Sequence, residues 1–378
     1  MLTHFELFFK NTGEFKNLEL TLNRIEGALK EIGFDESKLG RIIHIAGTNG
    51  KGSTAHFLSQ ILEKNGYKTA LYTSPHIENI CERILINNVE ISSKAFDDTF
   101  DALSDIIKKY NLSYFEALTL IAFHIFTNEQ VDVSIIETGL GGTYDATNIL
   151  NKKIPVITTI SQDHKNYLGS SIYKIIDEKL NIVKENKNVY VGKNREFIKK
   201  YIKGRLYDKN ICFAEENIDS SIPKPYSCNL SLVKSIVENE FHLRFEEDFP
   251  VKLPYCRMER IDRFILDGAH NPNGVISILE NIKDIDTVII SSTKDRDIYK
   301  IVNILKQKIK NIIITEIFDN DRSIKIEEIK NIDKIIKIKK LEDAIDKALE
   351  LAEINDILVC GSFYLCGQTR KILREKIV

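Results

Sequence analysis

The chain has no excess of charge of either sign: 53 Lys and Arg against 55 Asp and Glu leave a formal net charge of −2 over 378 residues. A nucleic-acid binder usually shows a basic face, so this balance gives no reason to expect a polyanion partner. No run approaches 18 consecutive apolar residues, which excludes an ordinary membrane-spanning helix. The opening "MLTHFELFFKNTGEF" lacks a cationic start and carries Glu6 inside its apolar patch, so it does not read as a signal peptide. The six cysteines (Cys81, Cys212, Cys228, Cys256, Cys360 and Cys366) show no C-x-x-C spacing. That disfavours a thiolate metal site and predicts buried free thiols in a reducing cytoplasm. Internal repeats and low-complexity segments are missing too.

What is present is a serial α/β pattern long enough for two domains. "RIIHIAG" predicts a short β-branched strand, followed by a helix from about Gly52 to Asn65 with Ala55, Leu58, Ile61 and Leu62 on one face. "YKTALYTS" predicts the next strand, which completes a βαβ unit. Further strands are expected at "VDVSIIETGLGG" and "IPVITTISQDH", and a second series from Arg263 onward runs "RFILDGAHNP", "DTVIISS", "NIIITEI", "KIIKIKK" and "DILVCGSF". Pro250 and Pro254 punctuate the join, which we place between domains 1–258 and 259–378. The stretch from about Lys187 to Pro225 gives no clear pattern.

Three features carry chemistry. The turn "GTNGKGST" resembles a phosphate loop but not the usual G-x-x-x-x-G-K-[ST], because only Thr48 and Asn49 separate Gly47 from Gly50-Lys51. Between a strand and a helix N-terminus its backbone N–H groups could cradle phosphate oxygens, with Lys51 reaching the terminal phosphates. The alternative is a tight turn with a solvated lysine. Second, Glu137 and His164 follow predicted strands and would share the strand-end edge with that loop, where a carboxylate suits Mg²⁺. Each could equally be a capping or solvated polar residue. Third, Lys179 lies seven residues after Ile172, inside the apolar stripe formed by Ile172, Ile175, Ile176, Leu180 and Val183. A cation there is costly unless it snorkels to solvent, pairs with Glu137, or is carbamylated by CO₂ into a negative oxygen ligand. The pattern alone leaves all three open.

Together, "HIAGTNGKGST", "YTSPHIENICERILIN", "ETGLGGTYDATN", "SQDHKNYLG" and "DGAHNP" closely resemble the successive signatures of the folylpolyglutamate synthase/dihydrofolate synthase family, within the Mur-ligase superfamily. The resemblance covers nearly the whole chain and implies an α/β fold. A P-loop-containing Mur-ligase-type ATPase domain would be followed by a smaller Rossmann-like α/β domain. It implies a cytoplasmic, monomeric, ATP-dependent amide ligase that adds L-glutamate to dihydropteroate, to reduced folates, or to both, through an acyl phosphate sheltered by domain closure.

Residue roles follow from the same resemblance. Thr48, Asn49, Gly50, Lys51, Gly52 and Ser53 would hold ATP phosphates, with Asn229, Arg257 and Asp267 as further nucleotide contacts. Ser74 and Glu137 would bind one Mg²⁺; Glu137, His164 and Lys179 as its CO₂-derived carbamate would bind a second. The pterin-bearing substrate would lie near Leu20, Thr21, Leu22 and Asn23, near Ser113, Tyr114, Phe115 and Glu116, and near Tyr144, Asp145 and Ala146. His270 would hold the incoming amino acid. The chain departs from the family pattern at "LPYCR", where "LPGR" is commoner, and at Asp295-Arg296-Asp297, where the family has D-K-D. A cell-wall Mur ligase would need an additional N-terminal domain, whereas only about 40 residues precede the first strand. Another carboxylate–amine ligase of the superfamily and a non-catalytic nucleotide-binding relative are the remaining alternatives.

Overall fold

The computed structural model describes the chain apart from residues 1, 11–20, 163–170, 215–221, 247–248, 331–334 and 378. It divides into two compact units, the first in the main up to Val251 and the second over Lys252–Val378.

The first unit is built on an eight-stranded sheet. Its strands are β1 (Arg41–Ala46), β2 (Thr69–Tyr72), β3 (Ile84–Ile86), β4 (Val89–Glu90), β5 (Val133–Glu137), β6 (Lys153–Ile157), β7 (Asn188–Val191) and β8 (Asn210–Phe213). Their order is β4-β3-β2-β5-β1-β6-β7-β8, with β3 antiparallel to both its neighbours and the other pairs parallel. Parallel strands covered on both faces read as unbroken apolar runs, and β1 is buried at every position after Arg41. β1 lies between β5 and β6, in a register that sets Ile45 opposite both Glu137 and Val156. The strand ends that carry chemistry are therefore neighbours.

Helix α1 (His4–Phe8) and α2 (Asn23–Glu31) precede β1, and α3 (Lys51–Lys64) follows it. Then come α4 (Ser93–Lys109), α5 (Tyr114–Glu129), α6 (Ile172–Leu180), α7 (Glu196–Arg205) and α8 (Tyr226–Phe241). α5 is apolar around most of its circumference, and it is correspondingly buried in a cluster with Phe5, Phe96, Phe100 and Leu29. The β3–β4 hairpin turns at Asn87 and Asn88, both at positive φ (48° and 56°), as a two-residue type I′ connection favours.

The irregular stretch after Lys187 contains β7, α7 and β8. "NVYV" and "NICF" are only four residues each, too short for a period to emerge against their lysine-rich surroundings.

The second unit carries a six-stranded sheet of β9 (Glu259–Ile261), β10 (Phe264–Leu266), β11 (Ile285–Ile290), β12 (Asn311–Ile314), β13 (Ile335–Lys337) and β14 (Asp356–Cys360). The order is β13-β12-β11-β14-β10-β9, parallel except for β9. Helices α9 (Pro272–Leu279), α10 (Ile298–Leu305), α11 (Leu341–Leu351) and α12 (Phe363–Ile377) complete the α/β alternation. Its core is largely isoleucine, including Ile278, Ile290, Ile301, Ile312 and Ile314. All six cysteines are free thiols, and every one but Cys212 is buried. Among the described residues no helix is long and apolar enough to cross a membrane.

Candidate active site

The loop between β1 and α3 is held by its neighbours in β6 and beyond. The amides of Thr48 and Asn49 both donate to the Thr159 carbonyl (2.8 and 3.2 Å). The Thr48 hydroxyl donates to the Ser161 carbonyl (3.0 Å) and accepts from the Ser161 amide (3.1 Å). Two of the backbone donors expected to cradle phosphate are therefore spent on the sheet. The first bond of the helix runs from Thr54 N to Gly50 O, which leaves the amides of Lys51, Gly52 and Ser53 at the positive end of the helix dipole.

Two glycines are sterically required. A Cβ on Gly47 would come within 1.8 Å of Thr158 Oγ1. Gly50 has φ +90°, and a Cβ there would meet Asn229 Oδ1 at 2.5 Å, so Asn229 lies directly against the loop.

The polar groups of this corner are incompletely paired. Ser53 Oγ and Thr54 Oγ1 are buried with no hydrogen-bond partner. Each such hydroxyl costs about 1–3 kcal/mol unless a ligand completes it. Lys51 Nζ stands 3.7 Å from Glu137 Oε1, and Glu137 Oε2 accepts the Ser74 amide at 3.1 Å. Glu137 is only 3% exposed. A buried carboxylate that accepts the Ser74 amide and is faced by an ammonium suits a hard cation and a phosphate. Among the described residues no group of three His, Cys, Asp or Glu side chains forms a ready metal cage.

Lys179, on α6, is buried, and its Nζ donates to the Gly47 carbonyl at 2.8 Å. It does not snorkel to solvent. This bond ties α6 to the loop between β1 and α3. His164 and Leu20 lie outside the described residues.

The loop after β5 forms a second corner. Asp145, 5% exposed, accepts from Leu140 N (2.9 Å), Thr147 N (3.1 Å) and the Thr147 hydroxyl. Burial raises its carboxyl above the usual range, partly offset by those bonds. Thr147 Oγ1 in turn meets His44 Nε2 at 2.7 Å. Lys153, buried at the start of β6, donates to Asn148 Oδ1 (2.8 Å); desolvation, helped by Lys184, pushes its ammonium down to about 7. Tyr144 is exposed and Ala146 buried.

Around α5, the Glu116 carboxylate accepts the Ser113 amide (2.8 Å) in a capping box and pairs with Arg24 (2.8 Å). Tyr114 is buried, and Phe115 packs beside Gly139 and Tyr72. Thr21, Leu22 and Asn23 open α2, with Thr21 Oγ1 accepting the Asn23 amide (3.2 Å). Arg83 is fully buried and donates to His76 Nδ1 (3.0 Å). The motif "SPHIENICER" holds both residues, but no spacing or periodicity marks them, or His44, Thr147 and Lys153, in the sequence.

In the second unit, Asp267 directly follows β10 and accepts the amides of Met258 (3.0 Å) and Ala269 (2.9 Å). His270 Nδ1 bonds the Gly268 carbonyl (2.8 Å), and its own carbonyl accepts from Arg296 (3.4 Å). The Arg257 guanidinium stacks over Phe363 at 4.2 Å, and the His270 ring lies edge-on to the same phenyl, at the start of α12.

Comparison with known proteins decides what this arrangement belongs to. The Mur ligase middle domain family matches residues 45–235, and the Mur ligase glutamate ligase domain family matches 256–363. A dihydrofolate synthase/folylpolyglutamate synthase of Buchnera aphidicola is 31% identical, over 98% of this chain and 95% of its own. The chain belongs to the dihydrofolate synthase/folylpolyglutamate synthase family of Mur ligases. Folylpolyglutamate synthase of Mycobacterium tuberculosis, solved with ADP, shares the fold with a TM-score of 0.86 at 24% identity, covering 97% of each chain. The bifunctional synthase of Yersinia pestis, solved with AMPPNP and a Mn ion, gives 0.82 at 23%, again over 97% of each. As a member of this family the chain is a ligase that forms carbon–nitrogen bonds.

Proposed function

We propose that this ligase joins the amine of L-glutamate to a pteroyl carboxylate, that of dihydropteroate or of a reduced folate, at the expense of ATP. The observation that carries the reading is the incompletely paired corner at the ends of β1 and β5: two buried hydroxyls without partners beside Lys51 and Glu137. It supports binding of a triphosphate whose oxygens supply the missing partners.

A carboxylate is a poor electrophile, so activation comes first. The substrate carboxylate oxygen attacks the γ-phosphorus of ATP, ADP leaves, and an acyl phosphate forms. Lys51, with the amides of Lys51, Gly52 and Ser53, offsets the charge that gathers on the transferred group. The neutral glutamate amine then attacks the acyl carbon, loses a proton, and inorganic phosphate departs with the acyl C–O electron pair.

Mg²⁺ supplies Lewis-acid polarisation of the phosphoryl oxygens when bound. Glu137 and Ser74 fit one such ion; Glu137, His164 and a carbamylated Lys179 are proposed for a second. Carbamylation fits the buried position of Lys179: the product –NH–COO⁻ keeps one N–H for the Gly47 carbonyl and removes a buried cation. Arg257 and Asp267 are proposed for the nucleotide, and His270 for the amino acid, on the family resemblance alone. The free cysteines support a reducing cytoplasmic setting, and we propose a monomer.

The test is phosphate release from purified protein with Mg-ATP and L-glutamate, given dihydropteroate or tetrahydrofolate, with product masses read alongside. Glutamate-dependent turnover with both substrates establishes a bifunctional synthase, and turnover with one names the activity. No turnover with either would sink the reading in favour of another carboxylate substrate.

A further inference from the structure

We propose that His44 is a positioning residue for the pterin-side substrate, fixing through Thr147 the loop that carries Tyr144 and Asp145. The inference rests on the functional reading above and on the family resemblance, which implies that this loop lies near the pterin-bearing substrate.

The hydrogen-bond directions follow from donor and acceptor chemistry. The Asp145 carboxylate accepts from the Thr147 hydroxyl, so the hydroxyl proton points at Asp145. Thr147 Oγ1 can then only accept from His44, which places the imidazole proton on Nε2 and leaves Nδ1 bare. His44 Nδ1 is buried and has no hydrogen-bond partner. Burial, with the Lys153 and Lys184 ammonium groups nearby, keeps the ring neutral.

A purely structural role explains this poorly. His44 sits in the centre of the sheet, between Ile43 and Ile45, where a branched aliphatic side chain would pack without an orphaned nitrogen. Thr147 is already satisfied as a donor by Asp145. What the imidazole adds is one directed bond from the strand that leads into the phosphate loop to the loop that leaves the neighbouring strand. Beside it Lys153 fastens the adjacent Asn148, whose amide donates back across the loop to the Thr143 carbonyl at 3.2 Å. Tyr144 and Asp145 are thus presented from a loop whose C-terminal side is tied to β1 through Thr147 and to β6 through Asn148.

The test compares His44→Leu, which removes the donor at similar volume, with His44→Gln, whose terminal amide restores a donor near the Nε2 position. In His44→Leu the KM for the pterin substrate is expected to rise at least tenfold. The KM for ATP should stay within about twofold, the melting temperature should be unchanged or higher, and His44→Gln should recover most of the loss. Equal rises in both KM values with a lowered melting temperature, or no change in the pterin KM, would overturn the proposal. Amide hydrogen exchange separates this outcome from a failure of the functional reading. If the wild-type protein shows no pterin-dependent turnover, that reading falls, and exchange over residues 140–149 then decides for His44. Faster exchange there in His44→Leu, with residues 47–53 unchanged, supports positioning, and unchanged exchange refutes it.

Discussion

The two corners at the ends of β1 and β5 have similar ingredients and opposite finish. Each combines a short loop, buried hydroxyls, a carboxylate and a lysine. At the phosphate loop, Ser53 and Thr54 hydroxyls have no partner, and the Lys51–Glu137 approach is a loose 3.7 Å. At the following loop, Asp145 takes three protein donors, and Thr147, Asn148 and Lys153 are all bonded. Unpaired groups are expensive in a folded protein, so unpaired hydroxyls persist where a ligand completes them; the groups bonded around Asp145 maintain a shape, with His44 Nδ1 left bare beside them. One corner is built to bind and the other to hold.

This contrast predicts which substitutions reduce activity and which reduce stability. The largest effect is expected from Lys51→Ala: kcat should fall by about 10³-fold or more while the melting temperature stays within a few degrees. Loss of folding in this variant would remove the distinction. Lys153 comes next. Its folded-state value near 7 lies below the ordinary 10.5, so between those values the unfolded chain binds more protons than the folded one. Stability should therefore rise with pH across that window, by up to about 1.4 kcal/mol per pH unit, and the penalty is fully present below it. Denaturant titrations of Lys153→Met should lack this rise; an unaltered slope would mean that the ammonium is not desolvated. Asp145→Ala should cost about 3 kcal/mol of stability, read from urea unfolding, because three buried donors lose their acceptor together. The smallest effect is Ser53→Ala, with stability unchanged or slightly raised and the KM for ATP up by about tenfold. A marked fall in stability would show that the hydroxyl already has a structural partner.

How much of this could be read from the sequence depended on whether a residue's partner was a side-chain pattern or a main-chain atom. The β1–α3–β2 unit was legible because β-branched runs and a helical apolar face are periodic, and Lys51 and Glu137 were legible because strand ends gather at one edge. The anomalous Lys179 stood out on its stripe, but its acceptor is the Gly47 carbonyl, and a main-chain oxygen leaves no signature. The same limit hid the capture of the Thr48 and Asn49 amides by Thr159, a contact that exists only once β1 and β6 are paired. Asp145 is named by the family resemblance, whereas its internal bonding leaves no mark in the sequence. His44 was hidden by the apolar residues on both sides of it in the strand. The four-residue strands β7 and β8 gave too little period to read.

The clasp between Thr48 and Ser161 has a thermodynamic consequence for nucleotide binding. Because the turn is already shaped by the sheet, a nucleotide need not order it, and the usual loss of backbone freedom on association is largely avoided. Calorimetry on Thr48→Val, which lacks the hydroxyl, should register that loss as a less favourable binding entropy, with the enthalpy of the phosphate contacts largely retained.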